Sequence, residues 1–547
     1  MLRNYLTTIF RILYRDRLFS LINITGLATG IAACLFISVY VHYERSYDQH
    51  IDNVQNLFRV LYERESESGE KVQFASASPM IGAEMKERFP EVLEAGKAYK
   101  TEGVISHQNI SFREENMFWA EPSFLNLLSF RIIKKNGDSL LSAPNTAVIS
   151  AETAKKYFGD KDPLNKIITL NGDQDFRIMG VYTPQPANMH FKANILLSWK
   201  NWENILGDRI KTFGWIYSGF YNYVRLKDGT SKEEVDQKIT NMINDELGAF
   251  MEKYKLRISY RLQPVSDIHL TSHYMHELGN NGNKNSIIFL NIIAWFIIVI
   301  AWINFVNLLT ISFTRRSGEI GLRKVLGGKN RQLIVQFLFE SFIINFIALF
   351  ISFVLIEQLS PWFYRLTGIA PDYIIWNKPW VWFNLGAIFL TGTLLAGLYP
   401  VWGLLTKKLS GTLRKTYTGS KKSIALQRGL VVFQFFMAVI LIAGTISVYL
   451  QIKYLHESET GFKKGNILVM YTPAVGDSLL LKRREAFKEE IKKYPFVKAI
   501  TYSSVIPGKN NMMNRGGIRR VGEEQTEGKN YRITDTDYDF TLVFSNI

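Results

Sequence analysis

Five runs of mainly apolar residues, at about 18–41, 287–311, 333–356, 380–404 and 430–450, fix what this 547-residue chain can become. Each is long enough to cross a bilayer as a helix, which takes roughly 20 residues. Backbone inside hydrocarbon must satisfy its own hydrogen bonds, so the runs predict an α-helical transmembrane bundle of five spans. The basic residues are distributed to match. Segments 1–17, 312–332 and 405–429 hold seventeen Lys and Arg against two acids, Asp16 and Glu319, which is nearly all of the net charge of +16. Short basic loops face the cytosol. That puts the N-terminus, the 312–332 loop and the 405–429 linker inside the cell, and the polar stretch 42–285 outside it. The same concentration of charge excludes a nucleic-acid binder, since no basic groove with interleaved aromatics accompanies it. The lone Cys34 excludes a disulfide framework and a Cys-based zinc site.

The loop between the second and third runs is Arg315–Gly328, RRSGEIGLRKVLGG. On a helix, Leu322, Val325 and Leu326 share one face. Arg316, Glu319, Arg323 and Lys324 share the other, where Ile320 stands alone among charges. Glu319 precedes Arg323 by four residues, which supports a helix by roughly 0.2–0.5 kcal/mol, and Gly327-Gly328 is a stop signal. The composition fits two descriptions. One is a loop that only orients the protein. The other is a helix along the membrane face that offers a charged surface with one apolar knob to a cytosolic partner.

Within the runs, Asn291, Asn304 and Asn307 are expected to act as hydrogen-bonding glue between helices, the alternative being a polar substrate path. Glu340 lies about two turns into the third run, close enough to its end to reach interfacial water, and an ionisable group there is a functional candidate. Gly26-x-x-x-Gly30 suits the close approach of another helix. Residues 2–17 read as an amphipathic helix lying in the interface. Ile31–Cys34 faintly resembles a lipoprotein cleavage box, but the apolar run continues through Val41, so a retained anchor is expected.

Stretch 42–285 mixes strand-like alternation (Phe58–Tyr62, Phe176–Tyr182, Tyr221–Leu226, Arg257–Leu262) with helix-like runs (Ile81–Phe89, Ala151–Phe158, Ser231–Glu246), which predicts an α+β extracytoplasmic domain. His269, His273, His276 and Glu277 form the densest ligand-like cluster, and imidazoles four apart on a helix can share a metal. Pro264 and the nearby membrane run argue for a structural role instead. Glu114-Glu115 reads as a solvated turn. No phosphate-cradling G-x-x-x-x-G-K-[ST] occurs, and neither Gly327–Asn330 nor Gly419–Lys422 has its spacing. The chain is therefore expected to bind no cofactor itself, and any energy must come from another chain.

RRSGEIGLRKVLGG resembles the loop after the second membrane helix of MacB/FtsX-type ABC transporter permeases. Arg88–Val92 (RFPEV), Ala120–Phe130 (AEPSFLNLLSF), Val148–Pro163 (VISAETAKKYFGDKDP) and Arg177–Val181 resemble their extracytoplasmic domain. Asp267–Leu270 resembles a phrase at that domain's junction with the membrane, and Gly397–Leu405 the exit from the fourth span. The resemblance implies an anchor (1–41), a MacB-like domain (42–285), an FtsX-like three-span domain (286–404), a basic linker (405–429) and a fifth span (430–450). It also implies the start of a second outer domain (451–547), because Lys492–Ile500 echoes Lys86–Ala95 and Thr534–Ile547 echoes Glu121–Phe130. That restarted copy is expected to be truncated and poorly stabilised.

The implied function is a non-catalytic permease subunit that couples ATP hydrolysis by a cytosolic ATPase to movement of outer domains. The coupling residues would be Arg315, Arg316, Glu319, Ile320, Gly321, Arg323, Lys324, Leu326 and Gly327. The implied partners are the ATPase, a second permease copy or paired permease, and a periplasmic adaptor, in a bacterial inner membrane. Substrates in the family include lipoproteins, peptides and toxins. Two other classes fit the sequence: a membrane receptor whose outer domain binds a ligand without an ATPase, and a membrane-anchored metal enzyme built on His273.

Overall fold

The structure, a computed structural model, describes residues 11, 14–15 and 17–544, apart from 68, 70, 139, 208, 211–213, 216, 317–329, 371–372, 406–420, 459–465, 473–478, 509–513 and 523–528. Most of the interfacial segment 2–17 lies outside the described residues. The chain divides into two units, Met1–Arg45 with Asn283–Ser458 and Ser46–Gly282 with Glu459–Ile547.

The first apolar run forms α1, Arg17–Arg45. The outer unit begins after it with β1 (Leu57–Ser66), β2 (Lys71–Phe74), α2 (Ile81–Arg88), β3 (Val92–His107) and β4 (Ile110–Ala120). It continues through α3 (Pro122–Leu127), β5 (Ile132–Lys135), β6 (Thr146–Ser150), α4 (Ala151–Phe158), β7 (Ile167–Leu170), β8 (Gln174–Tyr182) and β9 (Ile195–Ser198). It ends with α5 (Trp199–Leu206), β10 (Phe220–Leu226), α6 (Lys232–Tyr254), β11 (Leu256–Pro264) and α7 (Val265–Thr271).

These strands make one eleven-stranded mixed sheet in the order β11-β1-β10-β3-β4-β9-β6-β8-β5, with β2 on β1 and β7 bridging β3 and β8. The β7 bridge closes the ring β3-β4-β9-β6-β8-β7 into a small barrel, with β4–β9 and β6–β8 parallel. Alternation along the strands then decides the cores. Met117 and Trp119, Ala147 and Ile149, Phe176 and Ile178, and Ile195 and Leu197 share one core. Their neighbours Phe118, Ala120, Val148 and Leu196 pack instead with Phe124, Phe191 and Ile268.

The other half of the sheet is covered by α2 and α6. Helix α6 forms because Ser231 caps it through its hydroxyl, Glu233 and Glu234 occupy its first turn, and Val235, Ile239, Met242, Ile243 and Leu247 recur at helical spacing. It runs eight residues beyond the expected end at Glu246.

The other unit adds α8 (Lys284–Arg315), α9 (Asn330–Thr367), α10 (Pro379–Leu405) and α11 (Lys421–Glu457) to α1. All five are long and apolar enough to cross a membrane. Helix α9 outruns its expected end at 356 and carries Pro361 inside it. Its last turns mix Glu357, Gln358 and Arg365 with apolar residues, so hydropathy alone stopped early.

Helix α1 packs against α8 and α9. A Cβ placed on Gly30 would lie 2.7 Å from the Ala301 Cβ, so the two backbones can approach only because residue 30 is glycine. Helix α11 is different: Phe435, Phe436, Ile442 and most of its other side chains are exposed. It repeats a piece of α1, since Ile37-Ser38-Val39-Tyr40 recurs as Ile446-Ser447-Val448-Tyr449. Val39 is fully buried, whereas Val448 is 58% exposed.

After α11 come α12 (Leu480–Lys492), the two-stranded β12 (Asn514–Ile518) and β13 (Lys529–Arg532), and α13 (Phe540–Phe544). This stretch adds no strand to the main sheet among the described residues. It does share a local geometry with the first domain. The Lys97 N–H donates to Glu121 Oε2 (3.2 Å) and the Glu121 N–H donates to the Lys97 carbonyl (3.1 Å), just before α3. The Tyr502 N–H likewise donates to Asp537 Oδ2 (3.2 Å) and the Asp537 N–H donates to the Tyr502 carbonyl (3.1 Å), just before α13.

Candidate coupling site

Of the basic loop, the described residues are Arg315 and Arg316. Glu319, Ile320, Gly321, Arg323, Lys324, Leu326 and Gly327 lie outside them. Arg315 ends α8 and is exposed. Arg316 corrects the sequence expectation, which put it on a charged face offered to a partner. It is 8% exposed, and its Nη1 donates to both oxygens of Glu340, at 2.9 Å (Oε2) and 3.2 Å (Oε1).

Glu340 is corrected with it. Expected to reach interfacial water, it is 2% exposed and its charge meets a guanidinium instead. Taking either charge into a protein interior is costly, and attraction between two well-placed partners offsets that cost. The pair ties α9 to the end of α8 from the two sides of the loop.

The bundle's amides divide in role. Asn345 donates to Thr393 Oγ1 at 3.1 Å, joining α9 to α10. Asn304 is half-buried beside Gly26: a Cβ there would lie 3.6 Å from its Nδ2. Asn307 is buried, and so is Asn23, whose amide atoms have no partner among the described residues.

The histidines are not brought together on a helix. Helix α7 stops at Thr271, so the spacing between His269 and His273 is not helical. His269 is buried and stacks on Tyr47 with ring centroids 3.3 Å apart, while His273 is exposed. His276, in a left-handed conformation, turns its Nδ1 to Ser76 Oγ at 2.9 Å. Burial, and then the charge of Arg532, holds it below the ordinary histidine pKa. Among the described residues no group of three or more His, Cys, Asp or Glu could hold a metal ion.

Glu277 instead meets Arg59, which the sequence reading passed over. Arg59 is wholly buried in β1, and its guanidinium donates to Glu277 Oε2 (2.9 Å) and Oε1 (2.8 Å), Gln263 Oε1 (2.7 Å) and Ser272 Oγ (2.9 Å). The signal was present: an arginine between Phe58 and Val60 in an apolar strand demands a buried acid. Glu114 is a further correction. Rather than lying in a solvated turn, it is buried in β4 and accepts from Lys156 Nζ (2.6 Å) and Tyr157 Oη (2.9 Å).

Five helices long and apolar enough to span a membrane, with an α/β domain inserted between the first and the second, define the class as a membrane protein. Residues 20–242 match the family model of the MacB-like periplasmic core domain, and residues 291–409 that of the FtsX-like permease C-terminal region. These two matches support a MacB/FtsX-type ABC transporter permease. It is 23% identical over 310 residues to a macrolide export ATP-binding/permease protein MacB from Salmonella choleraesuis (strain SC-B67), covering 55% of this chain and 42% of that one. The chain thus spans less than half the length of that curated relative.

Among solved structures, a domain of a putative permease from Porphyromonas gingivalis is 24% identical and covers 39% of this chain and 91% of its own, with a TM-score of 0.35. The periplasmic region of MacB from Actinobacillus actinomycetemcomitans is 13% identical and covers 40% and 94%, with a TM-score of 0.29.

Proposed function

We propose that this chain is the non-catalytic permease subunit of an ABC transporter. It couples ATP hydrolysis by a separate cytosolic ATPase to movement of its extracytoplasmic domain, and so exports or extracts an envelope substrate such as a lipoprotein, peptide or toxin. The observation that carries this reading is the Arg316–Glu340 pair. A basic loop tied at its base to the interior of two spans can pass a push from a gripping partner into the bundle, where a loosely tethered one would absorb it. ATP need favour one arrangement of the spans by only a few kcal/mol to shift its population usefully.

In this reading residues 315–328 face the cytosol with the N-terminus, in a bacterial inner membrane. The permease works as a homodimer or with a paired permease, with a periplasmic adaptor, and residues 451–547 begin a second outer domain. The test is copurification of an ABC ATPase coexpressed with this chain. Ile320→Asp and Glu319→Lys are expected to abolish it while expression stays intact. Undiminished copurification in both variants overturns the coupling role.

A further inference from the structure

We propose that Ser272–Gly282 is a rigid strap fastening the outer domain to the chain that continues into α8, and that Arg59 and Glu277 are the positioning residues that make it rigid. This rests on the coupling function above and names the element that would deliver motion to the domain. An eleven-residue connection between a domain and a span is long enough to behave as a slack tether, and slack would waste the movement of a span.

The strap is not slack. Met275 N–H donates to the Gln73 carbonyl (2.9 Å), and Ala75 N–H donates to the Met275 carbonyl (2.8 Å), so it extends the edge beside β2. Tyr221 Oη donates to the His276 carbonyl at 2.8 Å, and Asn281 Nδ2 donates to the Ser272 carbonyl at 2.7 Å. Ser272 Oγ donates to Glu277, and the two-pronged Arg59–Glu277 contact closes the network from the third residue of β1. A planar guanidinium held on both carboxylate oxygens fixes direction as well as distance. Breaking the pair would leave an uncompensated charge where water does not reach.

The domain's other covalent junction is fastened in the same style. Asn188 Nδ2 donates to the Ser46 carbonyl (3.0 Å) and Oγ (2.9 Å), and Asp48 lies 2.9 Å from His190 Nδ1. Both places where the chain enters the domain are therefore pinned through buried or half-buried polar groups.

The experiment uses the full-length protein in nanodiscs with Cys34→Ser and a nitroxide at Gly279→Cys, a site where an added Cβ meets nothing within 4 Å. The wild-type strap should give a spectrum with restricted backbone motion, less mobile than that of Glu277→Gln, and a protected Met275 amide. In Glu277→Gln the label should become mobile and the Met275 amide exchange on the order of tenfold faster. Exchange within twofold of wild type overturns the strap.

The variant Arg59→Met with Glu277→Leu separates rigidity from stability. If it regains the wild-type unfolding temperature but loses the ATP-dependent change in exchange of 92–120 in complex with the ATPase, at unchanged hydrolysis rate, the positioning role stands. If that response survives in this variant and in Glu277→Gln, the role falls. Should no ATPase copurify even with wild type, the coupling function fails, while the nitroxide and Met275 results still decide whether the strap is rigid.

Discussion

Arg316 and Glu340 are 24 residues apart in the chain, yet the guanidinium and the carboxylate meet at 2.9 Å between the end of α8 and the third turn of α9. Removing one member strands the other in the bundle. Arg316→Met or Glu340→Gln alone should cost about 3–5 kcal/mol, read as a lower unfolding midpoint in detergent. Arg316→Met combined with Glu340→Leu should recover most of it. Single variants that melt like wild type would show that the pair holds nothing.

Gly30 and Gly444 sit in comparable helices with opposite surroundings. A methyl at Gly30 collides with Ala301, so Gly30→Ala should loosen α1 against α8 by about 1–3 kcal/mol. At Gly444 a Cβ meets nothing, so the same change should be neutral or stabilise by up to about 1 kcal/mol through helix propensity. Gly26→Ala should be tolerated, because Asn304 lies at an ordinary 3.6 Å. Thermal unfolding of the three variants decides, and equal effects at all three would refute the packing account.

Burial pushes the Glu277 carboxyl up, but hydrogen bonds and charge from Arg59, with Ser272 and Asn281, outweigh it and hold the pKa below its ordinary 4.5. A carboxyl depressed in the folded state stabilises fully above its unfolded pKa and loses that contribution as pH falls through the folded one. The stability gap between wild type and Glu277→Gln should therefore be constant from pH 7 to about 5 and shrink below 4.5. Denaturant titrations across that range measure it, and a gap that widens in acid would contradict the sign.

Glu114 and Glu115 are neighbours on opposite faces of β4. Glu114→Ala removes the acceptor of Lys156 and Tyr157 and should cost about 1.5–3 kcal/mol. Exposed Glu115→Ala should stay within about 0.5 kcal/mol. Denaturant midpoints of the two variants compare directly.

The sequence made some of this legible and hid the rest for identifiable reasons. Hydrophobic run length announced the five helices, because hydrocarbon tolerates little else. It misjudged the end of α9, where Glu357 and Arg365 interrupt the apolar signal. Strands β1, β8, β10 and β11 showed themselves through alternation, but the barrel did not, since its closure depends on Ile105 and Ser106 meeting Leu170 and Thr169 across more than sixty residues. Charged residues misled most. Glu114, Arg316 and Glu340 each read as solvated because their partners lie far away in sequence or on the next helix. Arg59 was the reverse case, a charge in an apolar strand whose buried acid was waiting in a cluster that looked like metal ligands.

The tetrapeptide shared by α1 and α11 gives the molecule an internal standard. Val39 and Val448 share Ile-Ser before them, Tyr after them and a helical backbone, so intrinsic propensity cancels between them. The difference between Val39→Ala and Val448→Ala then reports chiefly what surrounds each side chain, measured within a single chain.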